Sequence, residues 1–529
     1  MGFISTRLPY RQTNCFTKII LDYLDHAEAL KPFYAQPPSL QGIQKSIAGR
    51  QSFSTNRTVL VEELKNQYGA PTDAVKKNIE ALLSEKTFTV TTAHQPNIFT
   101  GPLYFIYKIL HAIKLVEYCR ASLPEYNFVP VYYMGSEDAD LEELGHIYIG
   151  GQKMEWKTKQ TGAVGRMKVD KEFIKLIDSI TGQLVVLPFG NEIISLIKSC
   201  YQLGVKIQNA TFQLVNALFG EFGLIVLIPD SAVLKKQAVK IFEDDLLNET
   251  PSVIVEQTAA KLHAAGYKLQ ANPREINLFY LQEGMRDRIV KKNSEFRIHN
   301  SDLKFSKEDL ISLLRNNPER FSPNVILRGI FQETILPNIV YIGGGGEIAY
   351  WLQLKDLFEH YKVPFPVLLL RNSFLIVEKK WQEKISKLGF AVEEFFLTEQ
   401  DLISKLVARE TQNEIKLNGN FTDAEKLYAS LKKQAAAVDV TLGKHVEALK
   451  TQSIYRLQEF EKKMLRAEKR KFADQQRQIR TIRENLFPRN NLQERVDNFM
   501  YYYAKLGKEF IQQVYQHSLS FEHEFVILS

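Results

Sequence analysis

Phe88-Thr-Val-Thr-Thr-Ala-His-Gln-Pro-Asn-Ile-Phe-Thr-Gly-Pro-Leu103 is the stretch whose reading decides the fold. Phe88 to Thr92 are all β-branched or aromatic, which predicts a buried strand. A loop follows with His94, Pro96, Gly101 and Pro102. A helix then starts near Leu103, because Ile106, Ile109, Leu110, Ile113 and Val116 form one apolar stripe. Pro102 suits that start, where a missing N–H costs nothing.

The same strand–loop–helix order recurs outward from this unit. Val129 to Met134 reads as a second strand, followed by Gly135-Ser-Glu-Asp138 and an acidic first helical turn through Glu143. Leu224 to Asp230 opens with five apolar residues, as a strand covered on both faces should. Asn277–Leu281 and Arg288–Lys291 predict a hairpin across Gly284. Asn338–Ile342 and Val367–Leu370 complete the set. Upstream, Ile19–Lys31 and Val59–Leu83 read as amphipathic helices. Strands alternating with helices predict an α/β fold with a mainly parallel sheet and right-handed crossovers.

From Thr422 the character changes. Asp423 to Leu486 holds no proline and one glycine, Gly443. Leu427, Leu431, Val438, Leu442, Val446, Leu449, Leu457, Phe460 and Met464 recur at coiled-coil spacing. A break near Val440 or Thr451 would fold this stretch into an antiparallel pair. After Pro488, Val496, Phe499, Tyr502 and Leu506 predict a helix packed on the core, and Glu522–Leu528 an edge strand. The expected domains are therefore a core over 1–395 with insertions at about 150–220 and 255–335, a helical coiled coil over 396–488, and a segment, 489–529, that returns to the core.

A chain of 529 residues is too long for a single growing core and needs no staples. Its three cysteines, Cys15, Cys119 and Cys200, form no C-x-x-C pair, which speaks against a disulfide framework or a zinc knuckle and for a reducing, cytoplasmic setting. Met1 to Leu24 lacks the pattern of a secretory leader. No apolar run is long enough to span a bilayer, so no membrane partner is expected. The net charge of +7 gathers between Lys462 and Arg489. That basic helix allows a nucleic-acid reading, against the plainer one of a coiled coil's solvated flank, which is the one expected.

Three strand ends carry candidate chemistry. At the first, His94, Gln95, Asn97 and Thr100 add donors to a loop whose backbone N–H groups can meet phosphate. Gly101 permits close approach, and Lys108 lies one turn into the helix. At the second, Asp138, Asp140 and His146 can bind an amine, hold Mg²⁺ or serve as a general base; acids that merely stabilise a helix start are the alternative. At the third, Gly343, Gly344, Gly345 and Gly346 predict a backbone nest open to anions, with Glu347, Tyr350 and Gln353 along one side. Ser322, Asn324 and Arg328, and also Arg371, form polar satellites in which either arginine can clamp a carboxylate. There is no Walker A loop, no G-x-G-x-x-G, no H-E-x-x-H and no G-x-S-x-G.

Together, Thr92–Tyr104 with Lys108, Gly135–Asp140 with His146, Ser322–Arg328, Leu336–Gln353 and Leu492-Gln-Glu-Arg495 resemble the bacillithiol biosynthesis cysteine-adding enzymes over nearly the whole chain. The resemblance implies a Rossmann-like core akin to class I aminoacyl-tRNA synthetases and nucleotidyl transferases, with inserted connecting peptides and a coiled-coil domain that forms a homodimer. It implies a ligase that adds L-cysteine to the amine of glucosaminyl-malate, in the last step of bacillithiol formation. An adenine nucleotide, ATP or ADP, with Mg²⁺ goes with that fold. Asp138, Asp140 and His146 are then the expected catalytic groups, no resident metal site is expected, and the other residues named above would bind substrate or nucleotide. The chain departs from the family pattern at Gly345 and Gly329, where prolines are common, and at Ala139, where a histidine is common and one candidate base is lost. No H-I-G-H or K-M-S-K-S element is intact. The rival readings are a synthetase-like ligase with another acceptor, and a dimeric coiled-coil protein that binds nucleic acid.

Overall fold

The computed structural model describes residues 2–292, 295–411 and 416–529. The chain divides into two compact units, one formed by Met1–Ile376 with Asn491–Ser529, the other by Val377–Asn490.

The larger unit is built on five parallel strands. Their order across the sheet is Ile225–Leu227, Asn127–Met134, Thr87–His94, Asn338–Gly343 and Val367–Leu370. Numbered along the chain, this is 3-2-1-4-5, the order of a Rossmann-type sheet. Helix Tyr104–Ser122 packs on it, and Phe88, Val90, Leu115, Phe128, Val340 and Leu369 share one buried cluster. The strands are buried almost throughout because both faces are covered, and the polar side chains among them are bonded inside, Thr89 and Thr91 to Asn338 and Thr92 to the Ile342 carbonyl.

An antiparallel sheet of five strands and a three-stranded sheet accompany this core. The antiparallel sheet pairs Leu278–Gln282 with Met285–Lys292 across Gly284, whose φ of +70° suits the turn, and Phe321–Pro323 lies beside it. The three-stranded sheet corrects two expectations. Ser5–Pro9 is a strand that periodicity did not mark. Glu524–Leu528 is no edge strand but lies between Ser5–Pro9 and Ser373–Ile376.

Other expectations change in detail. Val59–Leu83 is two helices, Arg57–Tyr68 and Asp73–Ala81, because Gly69 (φ +62°) and Pro71 break the run. The strand within Leu224–Asp230 is only Ile225–Leu227. The acidic segment after Asp138 makes one turn, Leu141–Leu144, and then a hairpin, His146–Ile149 with Gln152–Glu155. Between the second and third core strands stand three amphipathic helices, Lys171–Leu184, Gly190–Cys200 and Ile207–Phe219.

The smaller unit is helical. The coiled-coil stretch breaks at Asp439–Thr441 into Asn418–Val438 and Leu442–Arg470, and again before Ala473–Leu486. Tyr428 meets Ser453 while Lys432 meets Glu447, so the first two helices run antiparallel. The basic residues are largely spent within this unit. Lys462 pairs with Glu459, Lys471 with Glu468 and Arg480 with Glu399, while Arg483 donates to the carbonyls of Phe395 and Leu397. Among the described residues no helix is long and apolar enough to cross a membrane.

Candidate functional site

The crossovers change direction between strands Thr87–His94 and Asn338–Gly343, and a crevice opens at such a point outside the carboxyl ends. A cavity of about 450 Å³ lies there. Four strand ends line it with His94 and Gln95, Gly135 and Asp138, Gly344 to Glu347, and Arg371. Phe279 and Arg286 of the hairpin, Asn324 and Arg328, and Arg495 of the C-terminal segment close it.

Asp138 is its central acid. Arg328 stands 3.8 Å and Arg286 4.0 Å from its carboxylate, Gln95 donates to it at 3.4 Å and the Ala139 N–H at 2.8 Å. Burial pushes its pKa up, but the two guanidinium groups and the hydrogen bonds outweigh that, and the carboxyl sits below its usual range. Arg286 lies 4.0 Å over the Phe279 ring. Asn324 caps helix Val325–Ile335 by accepting from the Ile326 and Leu327 N–H groups, and so aims Arg328 at Asp138.

The preceding residue, Glu137, points away from the cavity into the protein. It pairs with Lys235, which is fully buried and also reaches Asp230 at 3.1 Å; Arg166 holds Asp230 through two bonds of 2.7 Å. These buried charges anchor the loop from behind.

Across the cavity, Glu347 accepts from Lys108 (2.7 Å), from the Tyr341 hydroxyl (2.7 Å) and from the Gly344 N–H (2.8 Å). Within the glycine run the Gly344 N–H is therefore already engaged by Glu347 of the same helix. Burial lowers the Lys108 pKa against the pull of Glu347. His94 is buried, and its Nε2 has no partner among the described residues. Burial, then Lys108 and Arg371, depress its pKa well below the usual value, so the ring is neutral near pH 7.

The structure brings His94, Gln95, Asp138, Asn324, Arg328, Gly344, Gly345, Gly346, Glu347, Tyr350 and Arg371 to one cavity. It leaves others outside. Asp140 caps the turn Leu141–Leu144 by accepting from the Glu143 N–H, and His146 bonds the Glu142 carbonyl from the hairpin. Their expected catalytic roles are corrected accordingly. Asn97, Thr100 and Gly101 are buried away from the cavity; the Thr100 and Gly101 N–H groups bond Asn97 and Ile98 carbonyls, and Asn498 clamps the carbonyls of Phe99 and Gly101. Gly343 ends its strand, Ser322 accepts from Arg286, and Gln353 is spent on Gln270 and Ala271. Lys108 acts through Glu347.

Of the N–H groups expected to meet phosphate, those of Thr100, Gly101 and Gly344 already have acceptors in the chain. No group of three or more His, Cys, Asp or Glu suited to a metal occurs among the described residues. Residue-level reading missed Arg286, Tyr104, Tyr133, Phe279 and Glu143 as cavity residues. The carboxyl end of the second strand could have flagged Tyr133. Nothing in the sequence flags Arg286, which reaches Asp138 only through hairpin register.

Residues 4–372 match the family model described as "Bacillithiol biosynthesis BshC, N-terminal Rossmann-like domain", and residues 374–529 match "Bacillithiol biosynthesis BshC, C-terminal coiled-coil domain". A protein of Flavobacterium psychrophilum named "Putative cysteine ligase BshC" is 39% identical over 512 residues, covering 96% of each chain. Its namesake in Flavobacterium johnsoniae is 36% identical over 526 residues, covering 99% of each. A solved Campylobacter jejuni chain titled as a putative arginyl tRNA synthetase covers 84% of this chain and 98% of its own, at 10% identity and a TM-score of 0.20, too low to bear on the fold.

Proposed function

Because the chain belongs to the bacillithiol biosynthesis BshC family, we propose that it joins the carboxyl of L-cysteine to the amino group of glucosaminyl-malate, as the last step of bacillithiol formation. The observation that carries this reading is the pairing of one ionised carboxylate, Asp138, with four arginines, Arg286, Arg328, Arg371 and Arg495, around a single cavity. Such a site suits a zwitterion beside a dicarboxylate.

In this reading Asp138 holds the ammonium of cysteine, and arginines on the far side hold the malate carboxylates. Glu143 lines the cavity, and burial, with Asp140 and Asp138 nearby, raises its pKa. That makes Glu143 the better base for the sugar's ammonium, whose amine must lose a proton before it attacks. Neutral His94 can donate to the carbonyl oxygen as charge develops there. The nitrogen lone pair forms the C–N bond while the bond from the carboxyl carbon to one of its oxygens breaks, and that oxygen departs with the two protons the ammonium gives up, as water overall; ATP would supply the activation of that oxygen as a leaving group. The same reading includes a cytoplasmic homodimer formed through the helical unit.

The test is mass spectrometry of the purified protein with cysteine and glucosaminyl-malate, with and without ATP and Mg²⁺. A product with the mass of the cysteinyl conjugate is expected, and its dependence on ATP reads the activation step directly. No conjugate in any mixture, from folded protein, would overturn the assignment.

A further inference from the structure

Two side chains of the returning segment brace the strand that follows Arg371. Gln493 and Glu494 are buried beside strand Ser373–Ile376. Gln493 accepts from the Ile376 N–H at 2.9 Å and donates to its carbonyl at 3.0 Å. One Glu494 oxygen accepts from Arg371 Nη2 at 2.7 Å and from the Ser373 hydroxyl at 3.2 Å; the other accepts from the Phe374 N–H at 3.1 Å.

Arg371 is thereby fixed at several points. Its Nη1 donates to the Asn372 carbonyl at 2.9 Å and to Ser373 at 3.2 Å, and its guanidinium lies 5.0 Å over the Tyr104 ring. A guanidinium has five N–H donors, and these bonds use three. Its Nε lies 3.7 Å from where a side chain on Gly344 would begin, on the cavity side.

We infer that Glu494 is a positioning residue, which holds Arg371 so that the guanidinium edge containing Nε faces a carboxylate of the substrate in the cavity. This deepens the proposed function and rests on it: the carboxylate belongs to the acidic part of the acceptor. A long side chain that must be ordered on binding weakens binding, and Glu494 removes that cost beforehand. Because Glu494 also offsets the charge, Arg371 supplies hydrogen-bond direction, while Arg328 and Arg495 supply net positive charge. The residue that does this follows the whole helical unit in the chain, so a catalytic core ending at Ile376 would lack it.

The test uses full-length protein with Glu494→Gln, which keeps the shape and an acceptor but removes the charge. The milder Ser373→Ala removes a hydroxyl bonded to both partners. The expected result is a KM for glucosaminyl-malate raised about tenfold in Glu494→Gln, as for one weakened charge-assisted hydrogen bond. It should rise less in Ser373→Ala, and the KM for cysteine should hold within about twofold. In an Arg371→Lys background Glu494→Gln should add nothing, since both act through one group. An unchanged acceptor KM, or equal losses for both substrates, would overturn the inference. Calorimetric titration with free L-malate separates this outcome from failure of the ligase reading. Weaker malate binding to Glu494→Gln supports the clamp even without turnover; equal binding to both proteins, or none to the unsubstituted one, overturns it.

Discussion

Asp138 keeps its charge because two guanidinium groups outweigh its burial, and that balance makes it testable. Asp138→Asn preserves volume and the contact with Gln95 but removes the charge. The loss of a charge-assisted contact of about 2–3 kcal/mol predicts a fall in kcat/KM of roughly 30- to 150-fold, with an unchanged circular dichroism spectrum. Full activity in the folded variant would remove Asp138 from the mechanism. Glu143 predicts the pH profile. A base must be deprotonated to work, and this one titrates above its ordinary 4.5, so kcat should fall as pH drops through that raised value. Glu143→Gln should abolish this acid limb. His94→Asn should lower the rate without moving the limb, since burial and its cationic neighbours keep that ring neutral at higher pH. Asp138 and Arg371 were legible because strand ends in a parallel sheet must face the ligand, and Arg328 because it closes a polar stretch, Ser322–Arg328, inside an apolar run. Asp140 and His146 looked equivalent to Asp138 in sequence, but a single helical turn sends them elsewhere, and no periodicity reports a four-residue helix.

Helix Val325–Ile335 shows how an element is aimed at the cavity. Its cap, Asn324, donates to Asn277 Oδ1 at 2.9 Å, and Asn277 donates from its backbone and side chain to the fully buried Asp245 at 2.7 and 2.9 Å. Burial is the largest influence on Asp245 and pushes its pKa up to about 7, against the two bonds from Asn277. The folded state therefore holds a proton that the unfolded chain releases near the ordinary aspartate value of 3.8. Its stabilising contribution is complete below that value and is lost as pH rises towards 7, at up to about 1.4 kcal/mol per pH unit. Urea midpoints should fall between pH 5 and 7.5, and Asp245→Asn should flatten that slope whatever its absolute stability. An identical slope in both proteins would place the proton elsewhere. At this scale the sequence revealed most of what depends on local pattern: the five core strands, the hairpin across Gly284 and the break near Val440. It hid what depends on distant partners. Ser5–Pro9 is a strand because Glu524–Leu528 is there to pair with it, and Asp245 gives no local sign of the helix cap it supports.

The helical unit raises a question that only the whole molecule can answer. Helix Asn418–Val438 buries no residue, and Leu427 (57% exposed), Leu431 (39%), Leu449 (41%) and Phe460 (54%) remain open on the antiparallel pair. This pair of helices leaves those apolar positions uncovered, whereas two such pairs can make a four-helix arrangement with them inside. A second copy of the chain is the occupant that the dimer reading supplies. Burying one leucine fully is worth about 2 kcal/mol, so charges at two of these positions in each copy cost far more than a dimer can absorb. Full-length protein with Leu427→Glu and Leu431→Glu should sediment as a monomer where the unsubstituted chain sediments as a dimer. Its helix content should be retained, because neither side chain is buried within its own copy. If both proteins sediment alike, whether as dimers or as monomers, the seam is not the dimer interface. If the variant is monomeric yet ligates at the original rate, the cavity of each copy is complete in itself, as expected of a site lined entirely by residues of the larger unit.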